Sequence, residues 1–200
     1  MNLVSEKTAG LFIFFGTVQF VFMSMILAMV EPGYSISANF VSELALGTNG
    51  LIFDMIMIIQ GGFVAIGAII LYRVAAQEPF FPSKLFSILL CVGGLGILGA
   101  GAVPMATSHL FGGFPMHVFL TTVGIFSAVG AIFVGYKLVN PPFSYIHIIM
   151  GVLGVLTTVL VLTATDLGIG PGGMERMNAY SLILWLLPFS GVLMSKPQSN

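Results

Sequence analysis

Charge is what this chain has least of. Its 200 residues include 6 Lys and Arg and 7 Asp and Glu, 6% of the total, where a soluble domain carries about 25%. So few charges cannot wet a globular surface, which excludes a water-soluble fold. Basic runs are missing and the net charge is −1, so nucleic acid is not an expected partner. Cysteine occurs once, as Cys91 within an apolar run, and one thiol cannot form an internal disulfide. It reads as a small apolar residue. Strong catalytic spacings are missing too: the chain has no HExxH, GxSxG or CxxC.

What the chain has is apolar length. It is 58% hydrophobic with a mean hydropathy of +1.09. Crossing the hydrocarbon of a bilayer takes about 20 mostly apolar residues. Six windows satisfy this, at about 9–30, 50–72, 84–103, 114–137, 144–164 and 177–195. Breakers separate them: Pro32-Gly33, Pro79 and Pro82, Pro104 with Gly112-Gly113, Pro141-Pro142, and Gly168 to Gly173 around Pro171. The first window is too long for a signal-peptide core and no small-x-small cleavage site follows it, so it reads as a retained membrane helix. The expected fold is all-α: a polytopic transmembrane six-helix bundle, with residues 1–200 forming one integral membrane domain.

Lys7, Arg73, Lys84, Lys137 and Lys196 fall on one side of such a bundle, and Arg176 alone falls on the other. The positive-inside bias then expects both termini in the cytoplasm of a multi-pass cell-membrane protein. The links at 31–49, 104–113 and 165–176 would face outward. Within the spans, small residues crowd together, as at Gly61 and Gly62, Gly93 to Gly101, Gly124 and Ala128, and Gly151 and Gly154. In lipid, such faces mark closely packed seams. Gly94, Gly96 and Gly99 also fit GxGxxG, but no strand precedes them, so packing is the reading.

The polar residues concentrate on the expected outer side. The link EPGYSISANFVSELALGTNG at 31–50 holds Glu31, Tyr34, Ser35, Asn39, Ser42 and Glu43. Asp54 lies one turn into the second span and His117 early in the fourth. His109, Asp166, Glu175 and Arg176 lie on or beside the other outer links. An ionisable side chain at the depth of Asp54 faces the bundle or a wet cavity, because lipid exposure costs a few kcal/mol. The candidate pocket is therefore Tyr34, Ser35, Asn39, Ser42, Glu43, Asp54, His109, His117, Asp166, Glu175 and Arg176, with the first link as its lid or wall. Arg176, the lone outer cation, is expected to pair with Glu43, with Asp166 competing. Glu175, being adjacent to Arg176, points elsewhere. Gln19 and Gln60 are expected to hydrogen-bond between helices, and His147 has no site role. No metal is assigned, because two histidines with scattered carboxylates do not demand convergence. The cofactor, if any, is unknown.

Four short stretches carry a family resemblance: YSISANFVSEL before the second span, GAVP ending the third, FPMH opening the fourth, and GGMERMNAYSLILWLL in the sixth. In that order they resemble the prokaryotic domain-of-unknown-function 998 family, whose six-helix layout is similar to DRAM, Frag and Sfk-type membrane proteins. The resemblance points to Tyr34, Ser35, Ser42, Glu43, His117, Glu175 and Arg176. One departure stands out: the family often places an acid after the Pro ending the third helix, and Met105 to Ser108 contain none. That implies a non-catalytic relative, or a role shifted to Asp166. The expected function is binding of a lipid headgroup or small polar ligand in the outward pocket. The alternatives are an intramembrane lipid hydrolase or transferase using His117 and carboxylates, and a structural subunit of a larger membrane assembly. Membrane lipid is the expected partner, with other membrane subunits or a second copy of the chain as further ones.

Overall fold

A computed structural model of the chain describes residues 4–76, 81–103, 105, 110–111 and 114–196. Nearly all of it is helix, as backbone groups in lipid must satisfy one another within each segment. The helices are α1 (Glu6–Val30), α2 (Gly50–Ala75), α3 (Phe81–Ala102), α4 (Met116–Gly135), α5 (Phe143–Leu162), α6 (Gly170–Ile183) and α7 (Leu186–Ser195). A short 3-10 helix, Val41–Leu46, interrupts the first link. Two-residue strands at Leu110–Phe111 and Phe114–Pro115 pair ahead of α4. Six segments are long and apolar enough to cross a membrane, the last being α6 and α7 together, Gly170–Ser195.

The sixth span differs from its sequence reading in two ways. It starts at Gly170, not near 177, because Pro171 occupies the first helical turn. A proline there sacrifices no helical hydrogen bond and presets the right φ; it was counted above as a breaker. The helix is also interrupted at Leu184-Trp185, between α6 and α7, although both residues keep helical dihedrals. Pro188 explains the interruption: it cannot donate to the carbonyl of Leu184, four residues back. Leu187 N–H takes that carbonyl instead, at 3.1 Å.

Successive helices pack side by side from α1 to α6, and α7 returns against α1 to close a ring. The α4–α5 junction is the sparsest of these neighbouring contacts. Small residues make the dense seams, as expected. A β-carbon built on Gly94 would lie 2.8 Å from the Gly61 carbonyl oxygen, and one on Gly96 would lie 2.8 Å from the Gly124 nitrogen. The GxGxxG glycines thus serve helix packing on both flanks of α3. Outside the ring, Met29, Leu51 and Leu162 are 78%, 72% and 75% exposed, as befits side chains solvated by lipid tails. Inside, one apolar cluster gathers around Trp185, Phe86 and Ile13. A second gathers around Phe20, Phe53 and Leu44 below the first link. Glu6 and Lys196 form an ion pair at 2.7 Å, which places the start of α1 and the end of α7 at the same end of the ring. The 31–49 link lies at the other end.

Candidate functional site

Among the ties that hold the 31–49 link down, three are made by ionisable side chains, Glu31, Arg176 and Glu175. The first is Glu31, just past α1. Its carboxylate accepts from Thr48 N–H at 2.6 Å and from the Asn49 N–H and side-chain amide at 3.2 Å each. Those N–H groups open α2, where an anion is favoured by unpaired donors and the helix dipole. The Thr48 N–H bond, with the Asn49 bonds behind it, pulls the Glu31 carboxyl below its ordinary pKa against a modest desolvation.

The second point is Arg176 on α6. Its Nη1 donates to the carbonyls of Ile36 at 2.6 Å, Asn39 at 3.1 Å and Gly172 at 3.0 Å. Its Nη2 donates to the Tyr34 hydroxyl, and its guanidinium lies over the Tyr34 ring, 5.4 Å from the centroid. The Tyr34 hydroxyl in turn donates a hydrogen bond to the Phe40 carbonyl at 2.8 Å. Burial pushes the Tyr34 phenol up, with Arg176 opposing. Arg176 pairs with no carboxylate among the described residues, so the expected Glu43–Arg176 pair does not form. Glu43 turns instead to the Asn39 side-chain amide, at 2.8 Å. Asp166 does not reach Arg176 either; it accepts from Gly168 N–H at 3.0 Å within its own turn. The physical reason is loop shape. The 36–39 backbone curls its carbonyls toward α6, and a planar five-donor fork is satisfied by several neutral oxygens as well as by one anion.

The third point is Glu175. It accepts from Val41 N–H, and from Ser42 through N–H at 3.4 Å and hydroxyl at 3.1 Å. A side chain from α6 thereby caps the 3-10 helix of the link. The glycines of the GPGG stretch let the link come this close. Gly172 N–H donates to Ser37 O at 2.9 Å, and a β-carbon on Gly172 would run into the Asn39 carbonyl. Glu175 and Arg176 thus point to different partners, as their adjacency requires.

Beneath this clasp lie two small, half-open hollows. An inner hollow of about 130 Å³ lies between α2, α3, α4 and the α6–α7 span, with Phe53, Met57 and Trp185 among its apolar walls. An outer hollow of about 220 Å³ lies between α4, α5 and α6. Ser42, His117, Thr121, Ile125, Glu175 and Asn178 border both. Of the sequence candidates, Ser42, His117 and Glu175 therefore reach the hollows. Tyr34, Asn39, Glu43 and Arg176 belong to the clasp above. Ser35 is exposed and shapes the link, its hydroxyl accepting from Ala38 N–H at 3.3 Å. Asp166 stands apart, and His109 lies outside the described residues.

His117 is buried and its Nδ1 meets the Ala100 carbonyl of α3 at 2.9 Å. A carbonyl only accepts, so the bond places a proton on Nδ1. Asp54 is buried within electrostatic range of His117, and its Oδ1 has no hydrogen-bond partner among the described residues. No group of three or more His, Cys, Asp or Glu suited to a metal converges among the described residues. Asn178 and Gln60 are lining residues that the sequence reading did not assign to the pocket. Asn178 follows Glu175 by three residues, which places both on one face of α6, and that spacing was available as a signal. Its amide donates to Thr158 Oγ1 at 2.7 Å and Thr157 Oγ1 at 3.2 Å. Gln60 is 3% exposed, and its Oε1 has no partner among the described residues. Gln19 does bridge helices as expected, donating to the Ile56 carbonyl at 2.9 Å. His147 packs on Trp185 near the other end of the ring, 5.0 Å between ring centres.

A family model described as Protein of unknown function (DUF998) matches residues 14–190. No curated protein and no solved structure matches the chain.

Proposed function

We propose, for a chain that belongs to the DUF998 family, that this multi-pass membrane protein binds a lipid headgroup or a small polar ligand in the hollows below the 31–49 link. One observation carries the reading. Of the six residues that border both hollows, five are polar: Ser42, His117, Thr121, Glu175 and Asn178. Polar side chains inside a membrane bundle are costly unless matched. Each is matched by a partner within the protein, and their gathering beside the hollows is what supports a ligand site. The Lys/Arg bias supports a site facing outward from the cell membrane.

Thermal unfolding of the detergent-solubilised protein tests this with water-soluble short-chain lipids bearing glycerol, ethanolamine or choline headgroups. At least one headgroup is expected to raise Tm, and Asn178→Leu is expected to abolish the rise. No shift with any headgroup overturns the binding reading.

A second reading, an intramembrane lipid hydrolase or transferase, draws on one feature: buried Asp54 lies within electrostatic range of His117, which itself borders both hollows. It expects product to accumulate when the purified protein is incubated with a lipid ester, and the yield to fall with His117→Gln. Equal yield from the variant rejects it.

A further inference from the structure

The polar residues that border both hollows have spent their donors and kept their acceptors. Ser42 gives its hydroxyl proton to Glu175, 3.1 Å away, and Thr121 gives its own to the His117 carbonyl at 2.9 Å. The His117 ring proton goes to the Ala100 carbonyl. Thr158 donates to the Gly154 carbonyl at 2.7 Å, so the Asn178 amide atom that faces Thr158 Oγ1 must be the nitrogen. That assignment turns Asn178 Oδ1 the other way. Asn178 is 4% exposed and lines both hollows, and no donor among the described residues meets its Oδ1. Asp54 Oδ1 and Gln60 Oε1 are orphans too, but they are sealed within the packing. Asn178 Oδ1 is not one of the sealed atoms, so it keeps contact with open space.

Charge points the same way. Glu175 is the one carboxylate lining either hollow, and no Lys or Arg lines them, among the described residues. Arg176 is turned away into the link carbonyls. Glu175 accepts three hydrogen bonds from the link, and an ionised carboxylate has about four lone-pair sites. Asn178 stands three residues on, on the same face of α6. Such a set of oxygens with a negative charge calls for a cation that carries N–H donors. An anion would meet Glu175 with nothing to offset the repulsion. From these two residues the outer hollow runs between α4 and α5, the sparsest junction of the ring, to Phe126, which is 61% exposed on the lipid side. Its threonines turn their hydroxyls to their own helices, as Thr122 does to the Val118 carbonyl at 2.8 Å, so the walls suit an alkyl chain. At about 220 Å³, against the ~150 Å³ of an engineered cavity that takes one benzene ring, it has room for roughly nine heavy atoms.

We infer that the outer hollow takes a single-chain primary alkylammonium. Its nitrogen donates to Asn178 Oδ1 and the Glu175 carboxylate, and its chain lies along the groove between α4 and α5. This rests on the binding reading above and names the ligand class and its orientation within it.

The experiment follows thermal unfolding of the full chain in a neutral detergent as octylammonium is titrated in. A saturable rise in Tm is expected. Octanol lacks the charge and octyltrimethylammonium lacks the N–H donors, so each should need a roughly tenfold higher concentration for half the rise. Octanoate should give none. Glu175→Gln is expected to raise the half-saturating octylammonium concentration roughly tenfold and to leave that of octanol unchanged, which a loss of packing alone would not do. Val118→Phe, which fills the groove away from the clasp, should weaken octylammonium and octanol alike, and it tests the seat should Glu175→Gln not fold. A response to octanol or octanoate equal to that of octylammonium overturns the inference, and so does an octylammonium response unchanged in either variant. A short-chain phosphatidylethanolamine that saturates below octylammonium overturns the single-chain class and assigns the ammonium to a phospholipid headgroup. If glycerol or choline lipids raise Tm and octylammonium does not, the inference fails and the binding reading stands. If none of them does, both fail.

Discussion

At the scale of single residues, the clasp depends on which acid meets which donor. Glu175 answers two N–H groups and a hydroxyl of the link, whereas Glu43 answers one side-chain amide. A hydrogen bond to a charged group contributes about 1.5–3 kcal/mol. Glu175→Gln is therefore expected to destabilise by about 2 kcal/mol and Glu43→Gln by under about 1 kcal/mol, read from thermal or denaturant unfolding in detergent. A double-mutant cycle of Glu175→Gln with Ser42→Ala should show coupling, and one of Glu43→Gln with Arg176→Gln should be additive. Coupling in the second cycle would restore the ion pair that the sequence alone favours. Glu31 gives a pH prediction. Its carboxyl is lowered in the folded protein, chiefly by the Thr48 N–H. Its stabilising effect is then fully present above the ordinary carboxylate range and is lost as pH falls through its depressed folded value. Wild type should melt above Glu31→Gln at neutral pH, and the gap should close in acid. A gap independent of pH would remove Glu31 from the clasp.

At the scale of elements, the apolar spans were legible because lipid demands length and hydropathy, and both are additive along a sequence. Five spans start and stop close to their expected places. The sixth does not, since its first turn is Gly-Pro-Gly-Gly, which looks like a loop until Pro171 is placed at a helix start. The interruption at Leu184-Trp185 had a signal in Pro188. The residue types of the site were legible too, through the scarcity of polar groups. Their partners were not. Choosing Glu175 over Glu43 as the anchor depends on how closely the 36–42 backbone approaches α6, and that approach rests on Gly172 having no side chain. Gly172→Ala puts a methyl group against the Asn39 carbonyl, backbone that cannot step aside. It should cost about 1–3 kcal/mol and open the 31–49 link to limited proteolysis. Unchanged stability and protection would show that the link finds another seat.

At the scale of the whole molecule, the ring has two unlike ends. The Glu6–Lys196 pair marks one, and the 31–49 link marks the other. The Lys/Arg bias leads us to propose that the link faces outside the cell. With Cys91→Ala as background, Thr48→Cys in intact cells should react with an impermeant thiol reagent and Asn140→Cys should not. The reverse labelling would turn the molecule over and move the proposed site to the cytoplasmic side, without changing its geometry.

The way Arg176 is held sets how these ends respond to their medium. The Glu6–Lys196 pair is two exposed ions, and salt weakens such a pair as the Debye length shrinks from about 30 Å at 0.01 M to about 3 Å at 1 M. Arg176 is surrounded by the oxygens of three carbonyls and a phenol at contact distance. It is held by neutral dipoles and by no carboxylate among the described residues, so salt has no ion-pair attraction to screen there. The link should thus stay seated as ionic strength rises from about 0.01 M to about 1 M.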